Sequence, residues 1–127
     1  MAKNGVHLSE VQLALMRALW QEGRATTAAV HERVGKGRSL AYTTVATLLG
    51  RLEKRGLVRS TKDSRDRIFE ALVSEDEVKR SMVSDLVTNL FRGDARALLS
   101  HLVQDSEIDE GDLETVRRML SEEAKKQ

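Results

Sequence analysis

The chain has 127 residues, room for one domain or a small head with an appendage, and only 3% are aromatic, so aliphatic side chains must supply the core. It has no cysteine, which excludes disulfides, thiolate metal sites and cysteine nucleophiles, and no proline, which suits a mostly helical chain. The net charge of +1 hides an asymmetry: residues 1–73 carry 13 Lys/Arg against 7 Asp/Glu, while residues 74–127 carry 8 against 13, so either the first half alone meets a polyanion or solvated charges have partitioned by chance.

Met1–His7 is short and polar, unlike a signal peptide, and no apolar run approaches membrane-spanning length. A cytoplasmic protein without membrane insertion is expected. Ser9-x-x-Gln12 is a capping box that opens a first helix, with Leu13, Met16, Leu19 and Trp20 at helical spacing and Gly23 at its end. Thr26 or Thr27 caps a second short helix with Val30 and Val34 inward, broken at Gly35-Lys36-Gly37. A third helix follows, with Val45, Leu48, Leu49 and Leu52 in an i, i+3, i+4, i+7 pattern and Gly56 as its stop. Leu57–Thr61 and Arg67–Val73 read as two strands around a charged turn at Lys62–Asp66.

Ser74-x-x-Glu77 opens a new helix in which Val78, Met82, Leu86 and Leu90 recur every four residues. Asp94 caps a helix carrying Leu98, Leu99, Leu102 and Val103. Asp109 caps the last, with Ile108 and Leu113 placed as a hydrophobic staple. The expected fold is mainly α: a winged helix-turn-helix head of three helices and a β-hairpin wing over 1–73, then a three-helix dimerisation region over 74–127.

With its apolar residues inward, the third helix presents Tyr42, Thr43, Ala46, Thr47, Gly50, Arg51 and Lys54. A major groove about 12 Å wide admits such slim side chains; threonine offers a hydroxyl and a methyl, and arginine can pair with guanine or a phosphate. A merely solvated face would more often carry Glu/Lys pairs. The expected DNA-binding residues are Arg38, Tyr42, Thr43, Thr44, Ala46, Thr47, Arg51 and Lys54, with Arg65 and Arg67 on the wing. Ten cations stand between Arg33 and Arg67 against Glu53, Asp63 and Asp66 alone, a density that suits phosphates. For Arg65 and Arg67, pairing with Asp63 and Asp66 is the competing expectation.

The stripe of Val78, Met82, Leu86 and Leu90, joined by Leu98 and Leu102, exceeds what two short helices can cover, so a homodimer through these residues is expected. The alternative is a cap folded back on the head. A dimer would present two third helices to a palindromic double-stranded operator.

"LSEVQLALMRALW" followed by "LAYTTVATLLGRLEKRGLV" resembles the amino-terminal half of the penicillinase-repressor (BlaI/MecI) family, and residues 74–120 match that family's dimerisation region in order and length. The resemblance implies a dimeric repressor on dyad operators of resistance or stress genes. It also implies a membrane sensor-protease as partner, triggering cleavage in the dimerisation region. The family's scissile Asn-Phe pair falls here at His101-Leu102, so that pair is not carried over, and the cysteine cluster of the copper-responsive branch is absent.

No enzyme is expected. His7, His31 and His101 form no metal-ligand or triad pattern, with His31 read as a helix-surface residue and His101 set among apolar neighbours. No catalytic residue, metal or cofactor is expected. A protein–protein winged helix, which would not need ten clustered cations, and a transcriptional activator remain the alternatives.

Overall fold

A computed structural model describes residues 6–63 and 65–125; most of the polar Met1–His7 stretch and Ser64 of the expected turn lie outside them. The chain divides into two compact units, Met1–Met82 and Val83–Gln127.

The first unit begins with helix α1, Glu10–Glu22. Its start is the capping box seen in the sequence: Ser9 Oγ accepts from Gln12 N at 3.2 Å, and Gln12 Oε1 accepts from Ser9 N at 3.0 Å. Gly23 ends it with φ +83°, a conformation that L side chains resist. Strand β1, Ala25–Thr26, is a two-residue element that periodicity could not reveal. Thr26 then caps α2, Thr27–Val30, through a 3.1 Å bond from Ala29 N. The helix widens into a π-turn over His31–Gly35. Helix α3, Tyr42–Lys54, follows the break at Lys36–Ser39.

Strands β2, Val58–Asp63, and β3, Asp66–Ala71, form the hairpin, and β1 joins β3 from the other side in an antiparallel sheet ordered β1-β3-β2. Pairing runs from Val58↔Ala71 to Asp63↔Asp66, further towards the tip than the expected strand ends at Thr61 and Arg67. Leu57 precedes the strand and turns inward instead, while Leu72 N donates to its carbonyl at 2.8 Å. β3 is central, which places Phe69 opposite both Ala25 and Ser60 and buries it.

The core gathers Leu15, Met16 and Leu19 of α1, Val30 and Val34, Val45, Leu49 and Leu52 of α3, and Val58 and Phe69 of the sheet. Each such aliphatic or aromatic burial is worth roughly 1.5–3 kcal/mol. Helix α4, Glu75–Asp85, opens with the reciprocal Ser74/Glu77 cap at 2.8 and 3.0 Å. Val78 on this helix is buried in the same core, and Met82 packs against it. Trp20 Nε1 donates to the Val73 carbonyl at 2.9 Å, and Ser81 Oγ accepts from Val6 N at 2.6 Å.

In the second unit the chain makes a π-turn over Leu86–Leu90, then helices α5, Ala95–Asp105, and α6, Glu110–Lys125. Asp94 caps α5, accepting from Ala97 N at 3.1 Å, and Asp109 and Asp112 cap α6 reciprocally. No described residue from 83 to 123 is buried in the single chain. Leu90, Leu120 and Met119 keep 67%, 65% and 61% of their surface open, far from the behaviour of a finished core.

Candidate nucleic-acid interface

The amphipathic pattern of α3 decides its outer face. Val45, Leu49 and Leu52 are wholly buried, which turns Tyr42, Thr43, Thr44, Thr47, Arg51 and Lys54 outward. Ala46 and Leu48 are half-buried. Thr43, Thr47 and Arg51 succeed one another at intervals of four and so form one row, and with Thr44 and Leu48 they line a shallow depression. The basic end of α3 also opposes the negative end of its backbone dipole, as Arg51 and Lys54 lie in the last turn.

Arg65 and Arg67 are exposed on the hairpin. Arg67 Nη1 donates to Ser60 Oγ at 2.9 Å, and Ser60 Oγ in turn donates to Glu53 Oε2 at 2.8 Å. A hydrogen-bonded chain therefore runs from the wing back to α3. Among the described residues, no ion pair joins Arg65 or Arg67 to Asp66; the Asp63 side chain lies outside them.

The ten-cation cluster is less free than the count of nearby acids suggested. Arg33 pairs with Glu22, Lys36 with Glu32 at 3.0 Å, Arg38 with Glu10, and Arg59 with Glu70 at 3.4 Å. Glu10, Glu22, Glu32 and Glu70 all lie outside the Arg33–Arg67 window, so folding brings in carboxylates that a linear count omits. No ion pair holds Arg51, Lys54 or Arg67 among the described residues.

Tyr42 stands at the start of α3 and is 43% exposed. Its hydroxyl donates to Asp66 Oδ1 at 3.1 Å. Partial burial and this carboxylate raise the phenol's pKa, so Tyr42 stays a protonated donor. Its ring meets His31 edge to face at 6.0 Å. His31 is half-buried rather than on a helix surface, because its Nε2 donates to the Leu40 carbonyl at 2.9 Å. His31, Asp66, Ser60 and Glu53 have no local signature in the sequence: Tyr42 and Asp66 are 24 positions apart.

The residues expected at a dimer contact separate into two groups. Val78 is 1% exposed within the core of the first unit and Met82 packs beside it, so neither lies on an open stripe with Leu86 and Leu90. The reason is that the first turns of α4 complete the head. Leu86, Leu90 and Leu102 are exposed, and Leu98 is half-buried. Leu99, Leu113, Val116 and Leu120 line an open apolar groove that the periodicity of α5 and α6 produces. His101 is exposed, bonded through Nδ1 to Asp105 at 3.2 Å with its ring edge against Phe91, rather than enclosed by apolar neighbours. Among the described residues, no group of three His, Asp or Glu is placed to hold a metal, and no helix is long and apolar enough to cross a membrane.

This chain is similar to the Transcriptional regulator BlaI of Mycobacterium tuberculosis, with 34% identity over 117 residues, 91% of this chain and 83% of the relative. It is 21% identical over 126 residues to the Penicillinase repressor of Staphylococcus aureus, covering 99% of this chain and all of that one. In structure it is similar to the DNA-binding domain of the repressor BlaI, with a TM-score of 0.53, 24% identity, and coverage of 60% of this chain and 93% of that domain. That likeness supports a winged-helix fold for the head. The penicillinase repressor family matches residues 8–122, from the entry to α1 into the last turns of α6, and the chain is a member of this family of winged-helix transcriptional repressors.

Proposed function

We propose that the chain works as a homodimer that lays α3 of each head in the major groove of a dyad operator and silences the genes behind it. The observation that carries the reading is the exposed row Thr43, Thr47, Arg51, with Thr44 beside it and no carboxylate paired to Arg51 among the described residues. Slim hydroxylic side chains let the helix approach base edges, and a free guanidinium suits guanine or phosphate. Arg65 and Arg67 on the wing, Lys54 at the end of α3, and Arg38 once it leaves Glu10 would grip the backbone on either side.

The dimer would form through Leu86, Leu90, Leu102 and the α5–α6 groove, whose open apolar surface is the support for this step. A relative named as penicillinase repressor supports resistance genes as the regulated set. Relief of repression would come from a membrane sensor-protease acting in the cytoplasm on the exposed α5 segment around His101-Leu102. DNase footprinting of the full-length protein on the DNA upstream of its own gene and its neighbours tests the core of this reading. A protected dyad is expected. For a dimer that neutralises about six phosphates, log K should fall with log salt at a slope of about −5, and a flat salt response would remove the proposal.

A further inference from the structure

We propose that Asp66 and Tyr42 form a positioning pair, one that sets α3 against the wing, so that Tyr42 acts on operator binding through Asp66 and not through DNA. The proposal rests on α3 being the groove-binding helix.

Three donors converge on one carboxylate. Asp66 Oδ1 accepts from Tyr42 Oη at 3.1 Å and from Arg67 N at 2.9 Å, while Oδ2 accepts from Ala28 N at 3.3 Å. Ala28 lies in the first turn of α2, where backbone N–H groups have no partner inside the helix. Tyr42 is the first residue of α3, and Asp66 is the first of β3. One side chain thus ties together both helices of the helix-turn-helix and the inner strand of the wing.

The start of α3 needs such an anchor. Its N-cap is Ala41, which offers no side-chain acceptor. The Tyr42 ring also meets His31 edge to face, and His31 is itself fixed to the Leu40 carbonyl. Gly35 leaves the space for that imidazole, since a Cβ there would collide with His31 Cδ2. A phenol has a single O–H to donate. Here it goes to Asp66, and a phosphate could take it only by breaking that bond. A bare carboxylate at this surface would also repel the DNA backbone; three donors around it give it a structural reason to be there.

The test uses the full chain and two measurements: thermal unfolding without DNA, and affinity for a duplex carrying the footprinted site at a temperature where every variant is folded. Tyr42→Phe should weaken binding roughly three- to tenfold, the size of one net hydrogen bond, with the salt slope unchanged. Beside Asp66→Ala, Tyr42→Phe should cost nothing more. Asp66→Asn keeps one acceptor oxygen for Tyr42 and Arg67 but turns an N–H donor towards Ala28 N, so it should recover only part of the loss seen in Asp66→Ala. A Tyr42→Phe loss that persists in full beside Asp66→Ala would put the hydroxyl on DNA and overturn the proposal. So would variants that lower the unfolding temperature yet bind normally when folded. Failure of the wild-type chain to bind any duplex would overturn the groove-binding reading itself, whereas wild-type binding without coupling between the two residues overturns this proposal alone.

Discussion

Arg38, in the loop that leads into α3, donates through Nη2 and Nε to the Glu10 carboxylate in the first turn of α1. The bond holds the Glu10 carboxyl below the usual carboxylate range and raises the Arg38 pKa. A cation next to the proposed groove-binding helix is therefore already engaged, and a phosphate that reaches it competes with Glu10. Glu10→Gln should raise duplex affinity and steepen the salt slope by about 0.9 for each phosphate that Arg38 then neutralises. Arg38→Gln in that background should return both to baseline. Equal affinity together with an equal salt slope for wild type and Glu10→Gln would mean that Arg38 does not reach the backbone.

The same pair has a pH signature with a definite sign. A carboxyl whose folded-state pKa is depressed contributes stability that is present above its unfolded value and is lost as pH falls through the folded one. Any advantage of wild type over Glu10→Gln in thermal unfolding should thus exist at neutral pH and vanish in acid. Both groups are open to solvent, so the advantage should be small. An advantage that grows in acid would contradict the assignment of the pair.

Arg51 closes the row that begins at Thr43, and its role can be separated from that of the other cations. If it reads a base, Arg51→Ala should cost about 1–3 kcal/mol and relax preference at one position in each half-site. Binding to a panel of operator variants reports this directly. A uniform loss across the whole panel would reassign Arg51 to phosphate.

What the sequence made legible was local chemistry. Ser9/Gln12 and Ser74/Glu77 cap helices three residues away, and Val45, Leu49 and Leu52 declare the buried side of α3 by their spacing alone. The outer row followed from the inner one. What remained hidden depends on partners distant in the chain. β1 exists only because Ala25 and Thr26 pair with Phe69 and Ile68. Arg59 looked free until Glu70 came beside it. Val78 sits on a perfect four-residue stripe with Leu86 and Leu90, yet the head claims it, because periodicity along one helix cannot say which neighbour covers each turn.

Leu90 keeps 67% of its surface open in the single chain, so a charge there should spare the fold and strike only the assembly. Leu90→Glu should bury an unpaired carboxylate at the proposed dimer contact, an expensive change. Sedimentation should then show a monomer whose head unfolds at the wild-type temperature. A wild-type chain that stays monomeric at high concentration would refute the dimer.

The burial of Val78 also changes where the head should be cut to study it alone. A truncation after Val73 removes Val78 and Met82 from the core, together with the Ser81 hydroxyl that holds Val6 N at 2.6 Å. Losing such buried side chains costs roughly 2–5 kcal/mol, so a chain ending at Val73 should unfold at a markedly lower temperature than one ending at Met82. Both keep every residue of α3, and while folded both should recognise the same half-site. Neither retains the exposed leucines of residues 83–125 that are proposed to join two heads. Linking two modules raises affinity by about 10²–10⁴ through effective concentration alone. The 1–82 chain should therefore bind the full operator at least about a hundredfold more weakly than the intact protein, with unchanged preference among half-site variants. On the proposed dimer, a cut that parts these apolar residues from the head would release DNA by the same arithmetic, whether or not it falls at His101-Leu102, since each severed head would keep its groove contacts but lose its twin. A gel shift comparing 1–82 with the full chain on one operator decides the matter: equal affinity would show that residues 83–127 contribute nothing to holding the complex.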